Sequence, residues 1–217
     1  MESHNAPAAV GADAHLLRAA RLSRYVKQQL EAEPALGLDA GTGQPFSAQE
    51  MRAYLAAHPS GDDDMLKRTL RALRKRVMLR VAARDLDGLA TLAEVTATMT
   101  ALAEIAISHA LASLEERLAE RHGRPLAGDG RAQQLHVVGM GKLGGAELNV
   151  SSDIDLVFVY PEEGETRRLR PVSNYEYCML LGRRLLAALS ETTADGYVFR
   201  VDMRLRPYGD AGPLVTS

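Results

Sequence analysis

Tryptophan is absent from this 217-residue sequence, cysteine occurs once, and phenylalanine and tyrosine occur only three and seven times. A single cysteine, Cys178, excludes an internal disulfide framework and a cysteine-based zinc site, and fits a reducing cytoplasm; on a helical pattern it reads as a small apolar filler. The chain also lacks an excess of either charge: 26 Lys and Arg stand against 28 Asp and Glu, a formal net charge of −2. There is therefore no global field to draw in nucleic acid or an anionic membrane, and any anion must be held locally. No stretch comes near the roughly 18 consecutive apolar residues of a membrane span, and the opening MESHNAPAAVGADAH lacks a basic start followed by an apolar core. The expectation is an untargeted cytoplasmic protein with no membrane partner. Its length suffices for one large domain or two small ones.

What is abundant is alanine, leucine and arginine, which favours helices in the first half. Apolar residues at helical spacing from Ala12 to about Glu33 predict one helix, ended by the Pro34 to Gly43 break. Ser47 with Glu50 three positions on is a capping-box pattern that opens a second. The stretch DDDMLKRTLRALRKRVMLRVAARDL predicts a third, with acids first and bases along its body, and Leu89 to Arg121 a fourth without internal Gly or Pro. The basic run KRTLRALRKR, with leucines interleaved at core spacing and no aromatics for base stacking, reads as a solvated helix face and not a nucleic-acid surface. After HGRPLAGDGR the period changes. QLHVVGM, DIDLVFVY and YVFRVDMRLRP have strand character, and between the last two a helix is predicted with Ser173 at its cap and Gly196 after its end.

Between the first two strands lies GMGKLGGAELNVSSDID. Gly139, Gly141 and Gly144 match G-x-G-x-x-G, yet a dinucleotide-binding fold puts its acid at the carboxyl end of the second strand, whereas Asp153 and Asp155 stand at the start of LVFVY. A P-loop fails too, because Lys142 is followed by Leu143 and position 136 is His136. In extended backbone, side chains two apart share a face, so the two aspartates project together with Cα atoms about 6.6 Å apart. At an effective dielectric near 20, carboxylates within about 5 Å repel by on the order of 3 kcal/mol, a penalty that a divalent cation reverses. The strand reading of RVDMRLRP adds Asp202, on a face shared with Arg204 and Arg206, while Val201, Met203 and Leu205 face the other way. Carboxylates for a hard cation and guanidiniums for phosphate oxygens are the composition that magnesium-dependent phosphoryl chemistry uses. For Arg204 and Arg206 a phosphate contact and a structural ion pair stay open. Ser152 is a phosphate-binding candidate, and Ser151 a cap of the turn. His136 reads as a packed strand histidine, and the other histidines have no ligand spacing.

Gly141-Lys142, ten intervening residues, Asp153-Ile154-Asp155 and a third acid on a later strand resemble the nucleotidyltransferase superfamily that includes DNA polymerase β, although Lys142 stands where that superfamily usually has serine. The strings GMGKLGGAELNVSSDIDLVFVY and YVFRVDMRLRPYGDAGPLVTS are similar to one family in particular, the bifunctional glutamine synthetase adenylyltransferase and adenylyl-removing enzymes, and look closer to the adenylyl-removing half. Val150 departs from the aromatic residue often found there. The resemblance implies an α+β fold: an all-helical region over residues 1–130, then a nucleotidyltransferase core with a mixed sheet over 131–217, the boundary near 122–133. It implies that phosphate attacks an adenylyl-tyrosine of glutamine synthetase and releases ADP. Asp153, Asp155 and Asp202 would be the catalytic acids and Mg²⁺ ligands, and Gly141, Lys142, Ser152, Arg204 and Arg206 the nucleotide and phosphate contacts. It also implies the PII signal protein as a partner, adenylylation by a paired half not present in this sequence, and a chain cut short of its family. Two alternatives are a nucleotidyltransferase acting on nucleic acid or a small molecule, and an inactive regulatory module.

Overall fold

The computed structural model describes residues 13–38, 40–58, 61–168 and 170–217. Residues 1–12, most of the stretch read above as free of targeting signals and including the first predicted helical residue, Ala12, lie outside the described residues. The chain divides into two units: residues up to 46 with 75–95, and residues 47–74 with 96–217.

In the first unit the single helix predicted from Ala12 to Glu33 is two, α1 (Ala14–Leu22) and α2 (Arg24–Ala32). Ser23 makes the break. Its backbone is extended, its N–H still closes α1 on the Ala19 carbonyl, and its hydroxyl accepts from the Val26 N–H at 3.3 Å, so one residue ends one helix and caps the next. Apolar periodicity continues across such a cap, which is why the sequence pattern does not reveal it. Leu16, Ala19, Val26, Leu36, Leu79 and Ala83 form this unit's core.

The second unit opens with α3 (Ala48–Ala57), whose Ser47/Glu50 capping box is formed as predicted. Helix α4 (Asp63–Leu86) belongs to this unit up to Arg74 and to the first unit from Lys75, and α5 (Leu92–His122) belongs to this unit from Thr96 onward. Contrary to the expectation that nothing approaches a membrane span, α5 is long and apolar enough to cross one by length and composition; 56% of that apolar stretch is buried inside the protein. Strand β1 (Pro125–Ala127) comes next, then β2 (His136–Met140), the single-turn helix α6 (Gly141–Gly144), β3 (Ile154–Val159), β4 (Gly164–Thr166), α7 (Asn174–Ser190), β5 (Val201–Asp202) and β6 (Val215–Thr216). The fold is thus α+β. Strands β1 and β4 form a small antiparallel pair. In the main, mixed sheet β3 is central, pairing β2 antiparallel and both β5 and β6 parallel. Its alternating burial follows from this: Ile154, Leu156 and Phe158 are buried against a core that includes Tyr177, Leu181, Leu185 and Val215. Helix α7 starts at the predicted Ser173 capping box, ends well before Gly196, and buries Cys178 as expected. His136 is not packed; β2 is an edge strand and the residue is exposed.

The solvated-face reading of the basic run fails at Arg71, which is 1% exposed. Its Nε donates to the Gly196 carbonyl at 2.7 Å, Nη1 to the Lys67 and Ala188 carbonyls at 2.9 and 3.1 Å, and Nη2 to the Glu191 carbonyl. A planar fork with five donors ties α4 to the carbonyl-rich end of α7, where the helix leaves acceptors without partners. Lys67 adds an ion pair to Glu191 at 2.5 Å. Arg71→Met removes this fork and strands buried carbonyls. The expected cost is about 3 kcal/mol, read as a lower urea midpoint with an unchanged slope.

Candidate active site

The strand register assembles the site. Met140, the last residue of β2, pairs with Asp155 across the antiparallel ladder, and Asp155 pairs with Asp202 across the parallel one. Adjacent strands lie about 4.8 Å apart, so the glycine turn, Asp155 and Asp202 fall in one row across the sheet. Asp153 precedes β3 by one position, and the Ile154 N–H bonds the Arg200 carbonyl at 3.0 Å, which fixes where β5 begins beside it.

Gly141 starts α6 with φ +53°, and a Cβ there would lie 2.6 Å from Asp155 Oδ2. The turn is therefore folded directly against that carboxylate, and only glycine accepts both the left-handed backbone and the contact. At Gly144 a Cβ would meet the Gly139 carbonyl oxygen at 2.6 Å, so this third glycine of the motif serves close packing within the turn. The Gly145 N–H returns to the Gly141 carbonyl at 3.0 Å and the Glu147 N–H to the Lys142 carbonyl at 2.8 Å. Beside the turn a cavity of about 250 Å³ is lined by Gly139, Leu143 and Gly144 together with Glu104 and Ser108 of α5.

Asn149 organises the connecting loop. Its Oδ1 accepts from the Ser151 N–H at 3.1 Å and from the hydroxyls of Ser151 and Ser152 at 3.2 and 2.9 Å, an Asx turn that an N-x-S-S string signals but that the sequence reading missed. Ser152 also accepts from Lys142 Nζ at 3.4 Å, joining the glycine turn to the acid-bearing loop. Buried Leu148 anchors that loop, its N–H donating to Thr100 Oγ1 at 3.3 Å.

The acids are held by arginines. Arg200 Nε donates to Asp153, while its Nη2 reaches the Ser151 carbonyl at 2.9 Å; the sequence reading passed over this residue, although it lies two before Asp202 on the same strand face. Arg204 grips Asp202 through Nε and Nη2 at 2.8 and 2.5 Å, and its backbone N–H donates to Asp202 Oδ1 at 2.8 Å. These bonds hold the Asp202 carboxyl below the ordinary aspartate range and push the Arg204 guanidinium up. The backbone bond is a second Asx turn and ends β5 at Asp202. The alternation expected through Arg206 therefore stops: Leu205 is 54% exposed, and Arg206 turns into its own loop, donating to the Met203 carbonyl at 2.8 Å and the Asp210 carbonyl at 3.4 Å. Gly141, Lys142, Ser152, Asp153, Asp155, Asp202 and Arg204 thus belong to one cluster of contacts and register pairs, whereas Arg206 is bound to carbonyls outside it. Among the described residues no three His, Cys, Asp or Glu side chains stand close enough together to hold a metal ion as they are. The donor set is nevertheless all oxygen and anionic, the chemistry that suits a hard cation, and two of its members already hold guanidiniums.

Removing Arg204 frees Asp202, so Arg204→Gln raises the Asp202 pKa toward the ordinary value, read as a shifted carboxyl ¹³C titration. The sign follows from the depressed pKa: the pair's stabilisation is present above the unfolded-state pKa and is lost as pH falls through the folded one. Gly141→Ala is expected to cost about 1–3 kcal/mol in thermal or urea unfolding through backbone strain and the clash with Asp155.

A sequence profile of the glutamate-ammonia ligase adenylyltransferase family matches residues 14–217. Among similar proteins, the bifunctional glutamine synthetase adenylyltransferase/adenylyl-removing enzyme of Aromatoleum aromaticum is 49% identical over 204 residues, covering 93% of this chain and 22% of the relative. The proteins of the same name from Chromobacterium violaceum and Nitrosomonas eutropha are 51% and 52% identical, over 94% and 90% of this chain and 23% and 22% of theirs. The chain spans less than a quarter of the length of these relatives. With a profile match over nearly its whole length, the chain belongs to the glutamate-ammonia ligase adenylyltransferase family.

Proposed function

We propose that this chain carries a nucleotidyl-transfer site that removes AMP from an adenylyl-tyrosine of glutamine synthetase by phosphorolysis. The observation that carries the reading is the register row of glycine turn, Asp155 and Asp202, in a chain whose relatives are named for adenylyl transfer and removal. In the reaction an oxygen of inorganic phosphate bonds to the adenylyl phosphorus, the bond from that phosphorus to the tyrosyl oxygen breaks, and that oxygen takes up a proton; the products are ADP and unmodified tyrosine. Both reactants are anionic, so the barrier is dominated by bringing like charges together.

The chain's own residues address that problem in three ways. Asp153, Asp155 and Asp202 would hold Mg²⁺, which when bound neutralises phosphate charge. Gly141 leaves backbone N–H groups of the turn accessible to phosphate oxygens, and Lys142 and Ser152, already in contact, supply a cation and a hydroxyl next to it. Arg204, 73% exposed in its side chain, has donors with which to meet an incoming phosphate. Arg206 is assigned to shaping the 203–212 loop. The reading places the protein in the cytoplasm, with glutamine synthetase as substrate, adenine nucleotide and phosphate as ligands, and the PII signal protein as a regulatory partner; ATP-dependent adenylylation belongs to the paired half of the relatives.

The test is to incubate the protein with adenylylated glutamine synthetase, Mg²⁺ and phosphate and to follow ADP. Asp155→Asn and Asp202→Asn are each expected to lower the rate by about 100-fold or more. ADP release that survives both substitutions would overturn the assignment.

A further inference from the structure

Arg121 and His122 end α5, and Arg168 and Arg170 follow β4; these four side chains line one cavity of about 510 Å³. Arg124 and Arg167 flank them in sequence, the Arg167 guanidinium lying 3.4 Å from where a Cβ on Gly130 would sit. All five arginines are exposed, and none of their guanidiniums forms a hydrogen bond or ion pair with a described residue. Their neighbour Arg131 behaves differently: it engages both Asp129 and Glu162, at 2.6 and 2.8 Å, and so takes up the acids of the adjoining turns.

Two plainer explanations fall short. The carboxyl end of a helix carries about half a unit of negative charge, which Arg121 alone more than balances. A solvated face intersperses charges of both signs, as expected of a chain with 26 bases and 28 acids, whereas here cations converge on one concavity. The cavity is also distinct from the carboxylate site. Thr100 of α5 touches the loop next to the acids, and Arg121 is twenty-one residues further along the same helix, roughly 30 Å at 1.5 Å per residue.

The lining decides the ligand. Guanidinium forks pair with phosphate oxygens in bidentate fashion, and a cavity of this size is within the range of small-molecule sites. Among the described residues its lining is three guanidiniums and the His122 imidazole, a set that addresses phosphate oxygens before a nucleobase or an acyl chain. We infer that this cleft binds a linear di- or triphosphate, free or as the tail of a nucleotide, at a second site independent of the transfer site.

The inference is tested by calorimetric titration of the 217-residue protein, without divalent cations, with inorganic triphosphate, ATP and AMP. Triphosphate is expected to saturate, with an affinity that falls steeply with added salt, and AMP to bind at least tenfold more weakly. Arg168→Gln/Arg170→Gln weakens triphosphate at least tenfold, and Arg121→Gln, on a different element, weakens it too; circular dichroism and thermal midpoints stay unchanged. Asp155→Asn leaves triphosphate binding as it was, which separates this outcome from failure of the transfer site. Equal affinity for ATP and triphosphate supports recognition of the phosphate chain alone, whether free or as a nucleotide's tail, whereas ATP binding tenfold tighter than triphosphate requires a contact to the nucleoside and overturns that recognition. Triphosphate that fails to saturate at millimolar concentration, or binds the arginine variants as tightly as the parent, overturns the inference.

Discussion

The pairing of β3 with strands of opposite sense on its two edges is the constraint on which the site depends. An antiparallel partner delivers the end of β2, and with it the Gly141 turn, to the start of β3; a parallel partner delivers Asp202 to the same level from the other side. A sheet of one sense could not do both with such short connections, because parallel strands need a crossover and antiparallel strands run the wrong way for Asp202. Between β3 and β5 that crossover is α7, which also supplies the layer burying Ile154, Leu156 and Phe158. A one-residue slip in either ladder would turn Asp155 to the core and bring up Ile154 or Leu156 in its place, so the apolar alternation of β3 and the chemistry of its edge specify each other.

Electrostatics then decides what this arrangement is like before any ligand arrives. Asp153 and Asp202 each pair with an arginine from the β5 segment, Arg200 and Arg204. Both guanidiniums are more than half exposed, so the pairs are screened and contribute little to stability. Their importance is positional. They hold Asp153 and Asp202 in defined directions, while Asp155 lies against the glycine turn.

The sequence discloses the acids well and the arginines poorly, for a physical reason. Asp153, Asp155 and Asp202 are legible because short polar residues at the start of β-branched runs obey the two-residue period of strands, and that period holds wherever the ladder is continuous. It fails after Asp202 because the side chain of Asp202 captures the Arg204 N–H and ends the strand, a local competition that hydrophobic periodicity does not register. Ser23 hides in the same way, as a polar cap inside an unbroken apolar pattern. The β1–β4 pair was invisible for the opposite reason: Pro125 and Gly164 argue against strands, yet at Gly164 a Cβ would fall 2.0 Å from the Leu126 carbonyl oxygen, so the glycine is what lets the two segments meet. Arg71 shows the limit of charge reading, since nothing in a basic helical run marks which arginine will find four carbonyls and go inside.

The glycine motif illustrates how spacing and chemistry come apart. In a dinucleotide-binding fold G-x-G-x-x-G frees backbone for a pyrophosphate and for the packing of a long helix. Here the helix after the turn is a single turn, the last glycine of the motif packs on the carbonyl of the first, and the middle one lies against Asp155. The same three residues thus satisfy a different set of contacts, internal to the turn and to the acid beside it. What distinguishes the two cases is the position of the carboxylate relative to strand direction: at the amino end of β3 it lies next to the turn that precedes the strand, whereas at a carboxyl end it would be a strand's length away, about 20 Å for six residues. Strand direction, legible from which side of the apolar run the aspartates occupy, carries more functional information in this sequence than the glycine spacing itself.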